Sequence, residues 1–234
     1  YWLSWRSGVV IMGLCYLLLG FIFYIGLPTE TTKLSGSKID KKIFINFKNS
    51  LTNKKLLAVN FVAFAILGAF VAVFNYITYD LIAPPYNLSQ SLVSCLFVLY
   101  LLGSISSTAM GALADKIGNY KAVIWSLIIM ICGSFITTGV YLWVKILGLG
   151  IFTMGFFASH ATACGWLGKI ATGGKAKAVA MYMLFYYLGA TVLGTVAGYF
   201  LLQWGWFGLI VFINLILFSA MIKIMITFKG FELE

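Results

Sequence analysis

A polar side chain inside a long apolar run is costly unless it is used or satisfied, so such residues are where this chain could do chemistry. One run closes on Asn75-Tyr76-Ile77-Thr78-Tyr79-Asp80. Asn75, Tyr76 and Tyr79 can line a path for a small molecule, with Asp80 titrating near its outer mouth. Equally, Asn75 can bond a neighbouring helix while Asp80 sits at an interface. The single histidine, His160, titrates near neutral pH and could relay a proton. It could also stay neutral, hydrogen-bonded across helices. Tyr182 and Tyr186 share a helix face and can stack on an amphipathic substrate or simply pack on a neighbour. No phosphate-cradling glycine loop, nucleophile constellation or carboxylate pair occurs. No catalytic residue, metal ligand set or cofactor is therefore expected.

The elements that must hold these residues follow from composition. Of 234 residues, 62% are hydrophobic and 9% charged, with a mean hydropathy of +1.01; soluble domains carry about 25% charged residues. Net charge is +10, yet the bases are confined to short segments between apolar runs, which points to a bilayer and not to nucleic acid. Cys15, Cys95, Cys132 and Cys164 lie within apolar runs without close pairing and read as small packing residues.

Seven runs approach the roughly 20 residues that cross a bilayer: 7–27, 57–79, 91–110, 122–142, 146–167, 178–201 and 206–228. Each should be a helix, which satisfies its own backbone hydrogen bonds in lipid. With the loop after the first run placed inside, fourteen lysines fall inside, and Arg6 and Lys145 outside. That asymmetry puts Tyr1 outside and Glu234 in the cytoplasm. The long polar connection 28–56 holds seven lysines; Ile39, Ile43, Phe47 and Leu51 recur there about every fourth residue, as in a helix lying on the inner membrane face. Very short outside turns are expected at 141–145 and 202–205. Gly189, Gly194 and Gly198 in the sixth run suggest close helix packing. Trp5, Trp125, Trp143, Trp204 and Trp206 fall mostly near run ends, as interfacial anchors do.

Between the third and fourth runs lies Gly111-Ala-Leu-Ala-Asp115-Lys116-Ile-Gly118-Asn-Tyr-Lys121. Gly111 would admit a neighbouring helix closely, Asp115 would meet the start of the next helix, Gly118 would supply positive φ, and Lys116 and Lys121 would hold the turn inside. This stretch resembles the signature loop of the major facilitator superfamily, Gly-x-Leu-Ala-Asp-Arg-x-Gly-Arg-Arg/Lys. Gly111, Leu113, Ala114, Asp115, Gly118 and Lys121 match it, Lys116 stands for the usual arginine, and Asn119-Tyr120 departs where that family often has another base.

The resemblance implies an all-α membrane protein: seven transmembrane helices, comprising a C-terminal six-helix bundle and the helix before it. Residues 1–27 would be the last helix of an N-terminal half, 28–56 the cytoplasmic linker, 57–228 the C-terminal bundle and 229–234 the tail. It implies secondary transport of a small molecule by alternating access, with proton-coupled efflux of a drug, sugar or metabolite as the expected form. Asp115, Lys116 and Lys121 would latch the cytoplasmic side. The expected partners are the bilayer, a small-molecule substrate, protons, and a missing N-terminal half or partner chain; the expected location is the bacterial plasma membrane. Two alternatives differ in class. One is a membrane-embedded binding or assembly subunit that does not transport. The other is a seven-helix rhodopsin or receptor, with Lys223 as a retinal lysine; but Lys223 lies roughly 10 Å past the middle of its run, where it can snorkel to the interface.

Overall fold

A helix is the one open structure whose backbone groups all pair within the segment, and the apolar runs fold accordingly. A computed structural model describes residues 5–27, 52–171 and 175–229, and every regular element among them is helical. The expected helix through Ile39, Ile43, Phe47 and Leu51, and the termini Tyr1 and Glu234, lie outside the described residues. The chain divides into two units, Tyr1–Lys41 and Lys42–Glu234. In the first, α1 (Trp5–Gly26) is a single helix of 22 residues, about 33 Å long, and it suffices to cross a hydrocarbon core of about 30 Å.

The second unit begins with α2 (Lys54–Ile82), started by the Asn53 side chain, which accepts from the Lys55 and Leu56 N–H groups at 3.0 and 3.3 Å. The helix thus starts within the stretch expected to be linker. The third expected run is compound: α3 (Gln90–Ser94), capped by Ser89, then a 3-10 turn at Cys95–Leu99, then α4 (Tyr100–Ile117). Helix α5 (Asn119–Ile136), α6 (Leu142–Ile170) and α7 (Lys175–Phe228) complete the unit.

Several boundaries differ from the sequence reading, each for a local reason. The run 122–142 does not stay helical to its end. In Thr137-Thr138-Gly139 the hydroxyls donate back to the carbonyls of Ser134 and Phe135, which competes with helix continuation, so the turn is 137–141 and not 141–145. Gly111 to Ile117 is the end of α4 and not a loop; the reversal is confined to Gly118, at φ +86°. Among the described residues, six helices are long and apolar enough to cross a membrane, where seven crossings were expected. The sixth and seventh expected runs both lie in the 54-residue α7, interrupted only at Gly205 (φ 64°, ψ −162°). The expected turn 202–205 therefore reduces to one glycine.

Helix α2 is the centre of this unit, and most of its residues between Leu56 and Val73 are buried. It packs most extensively on α7, while α6 packs on α5 and α4. Close approaches depend on glycine. A Cβ at Gly189 of α7 would strike the Phe64 carbonyl of α2, one at Gly198 would strike the Tyr76 hydroxyl, and one at Gly194 would lie 3.2 Å from Val71. Buried polar pairs join other helices: Ser134 of α5 donates to Asn214 Oδ1 of α7 at 2.9 Å. Trp206, expected as an interfacial anchor, is buried. Its Nε1–H donates to the Thr137 carbonyl and hydroxyl, both at 3.1 Å.

That bond gives a small, checkable effect. Trp206→Phe in the full-length protein is expected to cost about 1 kcal/mol and to lower the thermal midpoint in detergent. Trp204, whose ring is exposed, is the control; an equal shift for Trp204→Phe would show that the bond contributes nothing.

The unit has two chemically distinct ends. At one end, Lys55 sits over the Phe228 ring, and Phe228 packs on Trp166 and Tyr120. This gathers the start of α2, the α4–α5 reversal, the end of α6 and the end of α7, with Lys54, Lys55, Lys116, Lys121, Lys169, Lys223 and Lys229. The other end holds residues 83–89, the 137–141 turn and Gly205.

Candidate functional site

Positions 156 and 160 of α6 lie one turn apart on one face, as do 182 and 186 of α7. Facing each other, the two pairs build an aromatic and polar cluster. His160 Nδ1 is 3.1 Å from the Tyr182 hydroxyl, the donor being set by the imidazole tautomer. The His160 and Tyr186 rings are 4.7 Å apart, and Tyr186 stacks on Phe156 and Tyr182. Tyr182 is fully buried, His160 and Tyr186 half-buried, and Tyr187 is exposed beside them. The cluster continues into an aromatic wall not foreseen from sequence: Phe156 stacks on Phe70 of α2 at 3.9 Å, and Phe70 meets Tyr100 of α4 at 5.5 Å. Helices α2, α4, α6 and α7 thus meet around π surfaces with one imidazole and three phenols, those of Tyr100, Tyr182 and Tyr186. Such a surface can stack an apolar or cationic group and pass a hydrogen bond. A metal site needs several ligands, and no group of three or more His, Cys, Asp or Glu gathers among the described residues.

The second set of candidate residues does not join this cluster as a whole. Asn75 and Tyr79 are exposed, one turn apart on α2, while Tyr76 turns its ring toward Gly198 of α7. Asp80 is ten residues beyond Phe70, about 15 Å along the helix. It is not at an open mouth: its carboxylate pairs with Lys145 Nζ at 2.8 Å, with the two side chains 25% and 6% exposed.

Lys145 corrects the sequence reading most sharply. It was counted as an outside turn base, yet it lies inside α6 and is buried. Its ammonium lies 5.6 Å from the centre of the Tyr86 ring and 5.3 Å from that of Trp206, positions where ring faces attract a cation. The Tyr86 hydroxyl donates to the Val140 carbonyl. Burial first, then the Asp80 charge, pushes the Tyr86 phenol up from its ordinary pKa, so the donor is retained through the neutral range. One charged pair thereby ties α2, the 83–89 connection, the 137–141 turn, α6 and the second limb of α7. The sequence signal was present in Trp143-Val-Lys-Ile-Leu147, where a lone base is flanked by apolar residues on both sides.

At the basic end Gly118 supplies the positive φ expected of it, while Asp115 and Gly111 are placed differently from the expectation. Asp115 lies in the last turn of α4 and does not cap α5, whose N-cap is Gly118 with no side-chain acceptor. The base facing Asp115 is Lys169 of α6, at 3.9 Å, and both side chains are exposed. Lys169 donates to Asn119 Oδ1 at 2.9 Å, and the Tyr120 ring packs on Trp166 and Phe228. The two residues that depart from the family pattern thus tie the loop to α6 and α7. A Cβ at Gly111 would meet open space, so no close helix approach occurs there within the described residues. Lys116 and Lys121 are exposed near the reversal. Cys95 and Cys132 are exposed and do not fill the core; Cys164 is intermediate.

Similarity to known proteins extends over nearly the whole chain. It is 34% identical over 220 residues to the uncharacterized MFS-type transporter YybF of Bacillus subtilis, covering 94% of this chain and 54% of that one. An uncharacterized transporter of Buchnera aphidicola is 37% identical over 230 residues, 98% and 56% of the two chains. The inner membrane transport protein YnfM of Escherichia coli is 33% identical over 219 residues, 94% and 52%. The chain spans about half the length of the relatives it matches. No family model matches it.

Proposed function

We propose, for a chain that belongs to the major facilitator superfamily, that it supplies the C-terminal helix bundle of a secondary transporter and moves a small molecule by alternating access. The observation that carries this reading is the match of almost all of this chain to half of proteins named as transporters. The break at Gly205 supports counting α7 as two crossings, which makes seven with α1. The gathering of lysines at one end supports placing that end in the cytoplasm, by the positive-inside bias, of a bacterial plasma membrane. In alternating access two bundles rock around a site near the bilayer midplane. Phe70 and Phe156 fall near the middle of α2 and α6, and His160, Tyr182 and Tyr186 extend from them toward the basic end, which supports these residues as one side of such a site; Asn75, Tyr76 and Tyr79 lie further along α2 in the other direction. His160 is the group suited to carry a proton in coupled efflux. Asp115 and Lys169 hold the cytoplasmic reversal in register.

The test uses energised, inverted membrane vesicles containing the full-length protein and a fluorescent weak base that reports the pH gradient. Tetraphenylphosphonium, ethidium and a non-metabolised thiogalactoside serve as probes. At least one is expected to discharge part of the gradient only when the protein is present, and His160→Gln or Tyr182→Phe is expected to remove most of that response. Proton-coupled efflux is refuted for these classes if no probe discharges the gradient or accumulates against it. An unaltered response in both variants would remove the cluster from the path.

A further inference from the structure

At the basic end a cleft of about 600 Å³ opens between the start of α2 and the end of α7. Its polar lining includes Lys54, Lys223 and Thr227, and its apolar lining includes Leu57, Ile222 and Ile226. The helix register arranges these by depth. Lys54 is the first residue of α2 and Thr227 the next-to-last of α7, so both sit at the rim. Leu57 and Ile222 lie about a turn or more further in. Lys223 starts about 7.5 Å from the end of α7, and its four-carbon stem lets the ammonium rise toward the rim beside Lys54. Both lysines are exposed. The two carboxylates among the described residues, Asp80 and Asp115, face Lys145 and Lys169 instead. The cleft therefore presents two cations above an apolar wall, on the outside of a bundle that spans lipid.

We infer that this cleft binds one anionic phospholipid, with its phosphate between Lys54 and Lys223 and the start of an acyl chain against Leu57, Ile222 and Ile226. The charge selects an anionic headgroup, since basic pockets between transmembrane helices recognise such groups. The apolar wall below it selects a lipid over a free phosphate, which would leave that wall uncovered. Thr227 adds a hydroxyl for a phosphate or glycerol oxygen. The inference rests on the reading above that the basic end faces the cytoplasmic leaflet, but not on any transport activity.

Native mass spectrometry of the full-length protein in mild detergent tests it, with added phosphatidylglycerol and, separately, phosphatidylcholine of the same chains. Wild type is expected to retain one phosphatidylglycerol at concentrations where phosphatidylcholine is lost. The double variant Lys54→Gln/Lys223→Gln is expected to weaken retention of that adduct by about thirtyfold and each single variant by about fivefold, in line with roughly 1 kcal/mol per basic residue near an anionic surface. Lys116→Gln/Lys177→Gln removes the same charge at the same end and is expected to retain it. Equal retention of the two lipids, or loss of the adduct from both double variants alike, would overturn the site. Displacement of the lipid by millimolar inorganic phosphate would show a free-anion site instead. Stronger retention in Glu232→Gln/Glu234→Gln would show that these carboxylates, and not a lipid, are the native occupant of the cleft. The vesicle assay is separate, so failure to retain lipid leaves the transport reading standing, and the reverse.

Discussion

Replacing Lys145 by methionine is expected to destabilise the full-length protein by about 3 kcal/mol, because it leaves Asp80 charged and largely buried without its partner. The pair is short, at 2.8 Å, and the lysine is 6% exposed. Its ammonium also lies over two aromatic rings, so the loss includes those contacts. Adding Asp80→Leu to Lys145→Met is expected to restore most of the stability, since a buried ion pair can often be exchanged for well-packed apolar residues at little net cost. The measurement is denaturant unfolding in detergent of wild type, both single variants and the double variant, completing a cycle. Lys169→Met is the control: it breaks an ion pair at 3.9 Å between side chains 63% and 79% exposed, a class worth about 0–1 kcal/mol. If Lys145→Met and Lys169→Met cost the same, the Asp80–Lys145 pair does not hold that end of the unit together.

The second large effect is steric. Gly189→Ala is expected to cost about 2–3 kcal/mol, the range for overpacking a filled interior. The added Cβ would run into the Phe64 carbonyl, which is backbone, so α2 and α7 must move apart as whole helices. Phe64→Ala should therefore not rescue it. Gly198→Ala meets a different obstacle, the Tyr76 hydroxyl, and Tyr76→Phe is expected to relieve most of its cost. Gly111→Ala faces open space in this bundle and is expected to leave bundle stability unchanged, or raised slightly by helix propensity. Thermal midpoints of the variants decide the matter. Rescue of Gly189→Ala by Phe64→Ala would mean the clash is with a side chain and the helices are less closely apposed than described.

Legibility in the sequence followed the range of the forces involved. The apolar runs and the lysine distribution are one-dimensional signals, and α1, α2 and α6 lie within a few residues of where hydropathy placed them. Turns were less legible. The end of α5 depends on Thr137 and Thr138 hydroxyls bonding back to their own helix, and hydropathy does not register that competition. The very short turn expected at 202–205 is present but reduced to Gly205, because a single glycine at positive φ interrupts the helix. In the candidate site, the i, i+4 spacing of Tyr182 and Tyr186 was visible, as was the isolation of His160. That they face one another was not, because it depends on how α6 and α7 are rotated about their axes. Asn119 and Tyr120 looked like a departure from the family pattern; their partners, Lys169, Trp166 and Phe228, are remote in sequence.

By itself, then, the sequence determined a membrane-spanning helical chain, its basic side, its glycine-dependent contacts in the sixth run and its kinship through the Gly111–Lys121 stretch. Each of these follows from residue type and spacing along one strand of chain. Tertiary structure alone decided which polar groups are joined. Asp80 and Lys145 are 65 positions apart, and each reads as a lone interfacial charge until α2 and α6 are packed side by side. Burial then removes water from both and makes each the other's required partner, a pairing fixed by helix rotation and depth and by nothing local to either residue.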